Sequence, residues 1–517
     1  KQQFRELWEI VLRNHFHDIL PGSSIAEVYE DSRREYAELF AALNAIKTNA
    51  KAALCRAFAA RSSLDASTHL LCNYNVSHRP EYIEAEIPGT DAFGLGQLVG
   101  LSDGIEFEAE SQLTYDRKWL SRSRRLSSKG FAFCRFDSTA AATTPLLAAE
   151  DFDLQQAFEN EYLRICFDGS GRIRSLYDKS NKRELIQAGK LAKRIVSHQT
   201  RPHAYDCWDL NSYYKEKFWE VDHLRSARLV ESGPLRSVLE FVYEYQSSTI
   251  KEYLLLYHQE ARLDLRYEVD WHEHQEMLKL YFPVDIHSNL PTYEIQFGHL
   301  QRPSHYNTSW DQARFEVVCH KWLDISEPAY GLSIINDSKF GVGIHESEIG
   351  LTMLKAGIYP NPNADIGMHR FAYSLRPHAG DWREAGIVEA AYAFNNPLEL
   401  NACHALLESE CVAPTTGSSQ AFAACPSQFE SAKTSSENLV VETLKAEEDG
   451  EGEILRVYEA FGQRSRVELE LGLHYSAVEE VDLIERRLES ETDMRFNGTC
   501  LEFEIKPFEI RSFRLIR

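Results

Sequence analysis

The 517-residue sequence predicts a mainly β protein with an N-terminal helical segment: a piece of helical bundle followed by β-sandwich domains. Three observations predict it. Apolar residues recur at helical spacing through the first stretch of the chain. Period-two alternation takes over from residue 64 onward. The length also exceeds what one hydrophobic core usually serves. The resulting division is a helical-bundle segment over 1–62, a β-sandwich over 63–150, a large β domain over 151–412 and a small β-sandwich over 413–517.

Phe4, Leu7, Trp8, Val11, Leu12, Phe16 and Ile19 follow the spacing of an amphipathic helix, which Pro21-Gly22 ends. Ser24-Ile25-Ala26-Glu27 then reads as a capping box. The Ser oxygen would accept an early backbone N–H while Glu27 reaches back. A second helix follows, with Ile25, Val28, Tyr29, Tyr36, Leu39, Phe40, Leu43 and Ile46 on its buried side. Two such helices cannot cover their own stripes, so a further helix or domain is expected against them. The opening "KQQFRELWEI" starts without Met inside helical periodicity, and the expectation is a piece of a longer protein.

Beyond these helices, "YLRICFDGSGRIRSLYDK" (162–179) alternates around Asp168-Gly-Ser-Gly171 and predicts a hairpin. Residues 250–271 and "VEEVDLIERRLE" (478–489) continue the alternation. The Ser/Thr/Ala-rich stretch 412–437 reads as a linker or long loop.

Composition narrows the function. With 79 acidic against 56 basic residues the net charge is −23, which disfavours nucleic acid and other polyanions but suits a neutral ligand such as a sugar. No apolar run approaches the roughly 20 residues that span a bilayer. Ten scattered cysteines without a C-x-x-C pair indicate a reducing compartment, hence a cytoplasmic location. The sequons at Asn75, Asn307 and Asn497 are then chance matches.

The densest polar stretch is "NHFHDILPGSSI" (14–25). At 100° per residue His15 falls inside the apolar stripe and His17 nearly opposite, with Asp18 between the two faces. The two histidines therefore cannot chelate one ion from the same side. His15 is expected to pack into the bundle, and His17 to face away from it near the helix C-terminus, where the dipole favours it.

Other candidates are weaker. Asp270, His272 and His274 of "DWHEHQE" would share one strand face at a spacing that can chelate zinc, against the alternative of a polar outer face. Tyr205, Trp208 and Asp209 of "YDCWDL" could stack on a sugar and bind its hydroxyls, or be a buried Trp and a turn-forming Asp. His369 and His378 could line a cleft or satisfy loop carbonyls. Asp168-Gly-Ser-Gly171 is a turn and not a phosphate loop, because no helix follows it.

"FHDILPGSSIAEVYEDSRREY" resembles a signature of glycoside hydrolase family 38, the retaining α-mannosidases. "AFENEYLRICFDGSGRIRSLYDKSNKREL" (157–185), "YDCWDL" (205–210), "HYNTSWDQARFEVVCHKWLDISEPAYGLSIINDSKFG" (305–341) and "YPNPNADIGMHRFAYSLRPHAGDW" (359–382) are similar to that family's large β domain. "RVYEAFG" (456–462) and the ending "IKPFEIRSFRLIR" are similar to its last β module. The resemblance implies an N-terminal α/β domain, then a helical bundle and β-sandwiches, the largest a galactose-mutarotase-like supersandwich. It also implies one zinc ion, most of whose ligands come from the N-terminal domain and one from a bundle histidine. That histidine maps to His17, and Asp18 maps to a residue that binds mannose hydroxyls. The family's nucleophile and acid/base belong to the N-terminal domain, so no catalytic residue is assigned within this chain.

The function expected is therefore the C-terminal portion of a zinc-dependent α-mannosidase, inactive alone. Its partners would be a mannose-containing oligosaccharide or glycoside and its own N-terminal catalytic domain. No nucleic acid or membrane is implied, and homo-oligomerisation stays open. The alternative is a stand-alone carbohydrate-binding protein without hydrolase activity.

Overall fold

The computed structural model describes the chain except residues 61, 76–78, 87–96, 103–104, 127, 138–142, 145–148, 202–203, 410–425 and 490–492. It divides into two compact units. One comprises Lys1–Leu43, Leu146–Ile295 and Leu300–Ile387; the other comprises Asn44–Pro145, Gln296–His299 and Val388–Arg517.

Helix α1 spans Gln2–Asn14 and α2 spans Ala26–Ala59. At 1.5 Å rise per residue α2 is about 50 Å long. Helix α1 stops well short of Pro21. The reason is Asn14, which is buried and whose amide donates to the Ile10 carbonyl at 3.0 Å and to Glu35 Oε2 of α2 at 2.7 Å. An amide engaged in this way competes with helical continuation. Residues 15–21 are a run of turns, with Leu20 N–H on the Phe16 carbonyl and Gly22 N–H on the Ile19 carbonyl.

Three expectations change as a result. His15 is the C-cap of α1 and is exposed, not packed in a bundle. His17 is on a turn, so the helical angle does not describe it. The capping box is absent. Ile25 precedes the first turn of α2, and the Ser24 hydroxyl donates to the Asp18 carbonyl. The apolar stripe remains uncovered within the unit. Trp8 is 61% and Leu12 63% exposed, with Phe4 and Phe16 exposed beside them.

The β part of this unit pairs a ten-stranded antiparallel sheet with a six-stranded one. At the centre of the larger sheet, Ser248–Tyr257 and Leu263–Trp271 form a hairpin in which Leu254 faces Leu265. Alternate residues of these strands, with Leu278 and Leu280 of the six-stranded sheet, share one core. Each fully buried Leu contributes about 1.5–3 kcal/mol of transfer free energy, which is why the alternating pattern predicts the sheet. Arg194–Gln199 lies next to Glu276–Pro283 in the six-stranded sheet. The predicted hairpin at Asp168 forms, as Leu163–Phe167 against Ile173–Asp178. Asp168 Oδ1 accepts from Ser170 N–H and Arg172 N–H, and Gly171 takes φ 74°.

The second unit contains two sandwiches. Thr68–Asn73 pairs on one side with Gly130–Asp137 and on the other with Glu399–Ala402, which the division at the Ser/Thr/Ala-rich stretch assigns to the large β domain. The last sandwich joins Leu439–Ala446, Glu453–Glu459, Ile510–Ile516 and Ala477–Val481 in one sheet. The alternation read through residue 489 ends at Val481, because Asp482 Oδ1 accepts from Ile484 and Arg486 N–H and turns the chain. The stretch 412–437 is not all linker: Gln428–Glu430 and Ala432–Thr434 are strands, while the part up to 425 lies outside the described residues. The sequon at Asn75 likewise extends outside them. Among the described residues no helix is long and apolar enough to cross a membrane.

Candidate functional site

The turn after α1 brings His17 and Asp18 together. His17 Nε2 lies 3.6 Å from Asp18 Oδ2, with the His17 side chain 76% exposed and that of Asp18 38%. The other carboxylate oxygen, Asp18 Oδ1, is buried and has no hydrogen-bond partner. The main chain below is well braced. The Asp18 carbonyl accepts from the Ser24 hydroxyl at 2.5 Å, and the Tyr29 hydroxyl donates to the Ile19 carbonyl at 3.3 Å. Tyr29 also accepts the Ser24 N–H at 2.9 Å, so one turn of α2 holds the whole loop.

A solvent-open imidazole beside an unpartnered carboxylate oxygen fits one edge of a metal or sugar-hydroxyl site by its donor chemistry. It is no complete site. Among the described residues no group of three or more His, Cys, Asp or Glu side chains is placed to hold a metal ion. The "DWHEHQE" candidate fails for a backbone reason. The strand ends at Trp271, and residues 272–275 are irregular, with a bend at 274–275 and Gln275 at φ 57°, so Asp270, His272 and His274 do not share a strand face. His272 Nε2 instead meets Asp270 Oδ1 at 3.0 Å.

Trp208 and Asp209 sit on a turn closed by Trp208 N–H and Asp209 N–H on the Tyr205 carbonyl. Trp208 is 59% exposed and therefore not a buried core residue. The buried, turn-holding acid is its neighbour Asp206, which sequence reasoning passed over. Asp206 accepts the N–H groups of Ile358 and Tyr359 at 3.0 and 2.8 Å, and the Gln275 amide at 3.2 Å. It thereby sets Tyr359 edge-on to Tyr205, with ring centroids 5.0 Å apart. No short-range signal could have singled it out, since its backbone partners lie some 150 residues on and Gln275 lies 69 residues on. No hydrogen bond, ion pair or ring contact joins this turn to His17 or Asp18 among the described residues.

His369 satisfies a loop carbonyl, that of Asp365, at 2.8 Å. His378 is buried against Asp324 Oδ2 at 2.8 Å. A further polar cluster lies on the six-stranded sheet. His198 Nε2 is 2.8 Å from the Tyr281 hydroxyl, while Lys279 and Tyr214 both donate to Glu316. Burial, reinforced by the Lys279 charge, pushes the His198 imidazole down to about 3, so it is neutral. The cavity beside Tyr214 holds about 10 Å³, room for no more than a water. This cluster is structural.

Three family models match the chain: alpha mannosidase middle domain over residues 1–54, glycosyl hydrolases family 38 C-terminal domain over 158–363, and glycosyl hydrolases family 38 C-terminal beta sandwich domain over 438–513. His17 and Asp18 fall in the first match, Trp208 and Asp209 in the second. The chain belongs to glycosyl hydrolase family 38. It is 31% identical to alpha-mannosidase 2C1 of Homo sapiens, over 99% of this chain and 45% of that protein. It is 29% identical to alpha-mannosidase G of Dictyostelium discoideum, over 99% and 48%. The chain thus spans about half the length of the curated relatives it matches. Among solved structures, an alpha-mannosidase from Enterococcus faecalis V583 superimposes with a TM-score of 0.72 at 12% identity. That match covers 99% of this chain and 63% of the other, and it establishes the shared fold.

Proposed function

We propose that this chain is the C-terminal portion of a retaining, zinc-dependent α-mannosidase acting on mannose-containing glycosides. In this reading it lends His17 as one metal ligand and Asp18 as a sugar contact to a site completed by an N-terminal catalytic domain. The observation that carries the reading is a solvent-open imidazole set beside a carboxylate with a buried, unpartnered oxygen, on a turn inside the matched middle domain. Zinc bound there would supply Lewis acidity and orient oxygen ligands. His17, on a turn and exposed, can reach a ligand set on another domain without moving a helix. Asp18 offers acceptors to sugar hydroxyls, and its carbonyl, held by Ser24, keeps the carboxylate from swinging away.

Trp208 and Asp209 are proposed as weaker sugar contacts, the ring for stacking and the carboxylate for hydroxyls. Retaining hydrolysis needs two carboxylates about 5–5.5 Å apart, one as nucleophile and one as acid then base, and these are assigned to the N-terminal domain. Every described cysteine is a free thiol, which supports a cytoplasmic setting. The four-part division is proposed as the order of modules, with Glu399–Ala402 joining the module of Thr68–Asn73.

The test compares the purified 517-residue chain with the protein extended by its upstream reading frame. The extended protein should bind zinc and release mannose from an aryl α-mannoside with the α-anomer formed first, as followed by NMR. The shorter chain should give no turnover. Hydrolysis by the 517-residue chain, with contaminating enzyme excluded, overturns the proposal.

A further inference from the structure

The second unit contains a cavity of about 330 Å³, near the lower end of the roughly 300–1,000 Å³ that small-molecule sites span. Its walls come from Tyr74 and Asn75, from the helix Ile387–Asn395, from Lys129 and from residues 434–442. None of these has a role in the function proposed above.

Two polar groups in the walls are built but incompletely used. Asn75 is 5% exposed, and its amide nitrogen donates to the Asn396 carbonyl at 2.8 Å. Its Oδ1 is buried with no donor. Buried polar oxygens of this kind usually have a partner, so a missing donor at a cavity wall points to a ligand. The Lys129 ammonium donates to the carbonyls of Val441 and Glu442 at 2.9 and 3.1 Å. An ammonium has three N–H groups, and one remains for a ligand. The Tyr392 hydroxyl donates to Glu442 Oε2 at 2.5 Å, which fixes both side chains at the wall.

The charges select the ligand. Glu389, Glu437 and Glu442 line the cavity; Glu389 is paired with Arg79 at 2.6 Å, which leaves two carboxylates against the Lys129 ammonium, so an anion is disfavoured. A small cation would meet Lys129. A neutral polyol answers each group: a hydroxyl can donate to Asn75 Oδ1 and another can accept from Lys129. The rings of Tyr74 and Tyr392 supply the apolar surface on which a pyranose face rests.

We propose that this cavity is a binding site for one or two rings of a neutral sugar, mannose being the natural choice. That choice of sugar rests on the function proposed above.

The experiment titrates methyl α-mannoside into the 517-residue chain and follows saturation-transfer NMR and calorimetry. Wild type and Lys190→Ala, a change at an exposed residue outside the cavity, should bind alike, in the millimolar range. Asn75→Leu, which removes the unpartnered oxygen, should weaken binding at least tenfold. Ser435→Trp starts from an exposed position and fills the cavity without touching the core, so it should do the same even if Asn75→Leu folds poorly. Absence of binding by wild type, or binding that survives Ser435→Trp, overturns the site. The α-mannosidase reading fails separately, through the turnover and zinc content of the extended protein.

Discussion

The hydroxyl of Ser24 donates to the main-chain carbonyl of Asp18 at 2.5 Å, across the Leu20-Pro21-Gly22 break. Ser24 therefore positions the turn that carries His17 and Asp18, in place of the helix-capping role that its sequence context suggests. Removing one hydrogen bond costs about 0.5–1.5 kcal/mol. In the extended enzyme, Ser24→Ala should lower kcat/KM roughly two- to tenfold, and Ser24→Thr should restore it. A lowered melting temperature with normal kcat/KM would show that Ser24 serves only stability.

Asp18→Asn keeps size but removes charge and half the acceptor capacity. Hydrogen bonds to a charged group contribute about 1.5–3 kcal/mol each, so kcat/KM on an α-mannoside should fall roughly ten- to hundredfold. Because Oδ1 has no partner within the chain, the melting temperature should hardly move. Unchanged kcat/KM together with a lower melting point would make Asp18 a bracing residue instead of a sugar ligand.

His17→Ala should reduce zinc content and activity together in the extended enzyme, because its imidazole is open to ligation. His15→Ala serves as the contrast. An exposed C-cap residue with no packing role should change stability by no more than about 0.5 kcal/mol and leave zinc content alone. Equal metal content in His17→Ala and wild type would contradict the ligand assignment.

His198 makes stability depend on pH. Its folded-state value is about 3, lowered first by burial, against 6.5 for the ordinary group. Below pH 6.5 the unfolded chain takes up a proton that the folded chain refuses, so stability falls as pH drops toward 3. The slope approaches about 1.4 kcal/mol per pH unit. His198→Gln can still accept from Tyr281 but does not titrate. Urea unfolding between pH 7 and pH 4 should give a flatter pH dependence for the variant, and parallel wild-type and variant curves would refute the linkage.

The sequence by itself determined the helix-then-β order, because the spacing of Leu7 and Val11 and the alternation around Leu254 and Leu265 are local consequences of burying one face. It likewise determined the Asp168 turn, whose hydrogen bonds close within four residues. Family-specific strings were legible enough to single out His17 and Asp18. What tertiary structure decided were the features that depend on partners far along the chain. Helix α1 ends at Asn14 because that amide meets Glu35 of α2, which moves His15 and His17 off the expected helical wheel. Asp206 outranks Asp209 because its acceptors meet backbone N–H groups some 150 residues away. Strand Glu399–Ala402 joins Thr68–Asn73 through a pairing that no local pattern encodes. Periodicity reports which face of an element is apolar, whereas the choice of partner follows from closure of the whole fold.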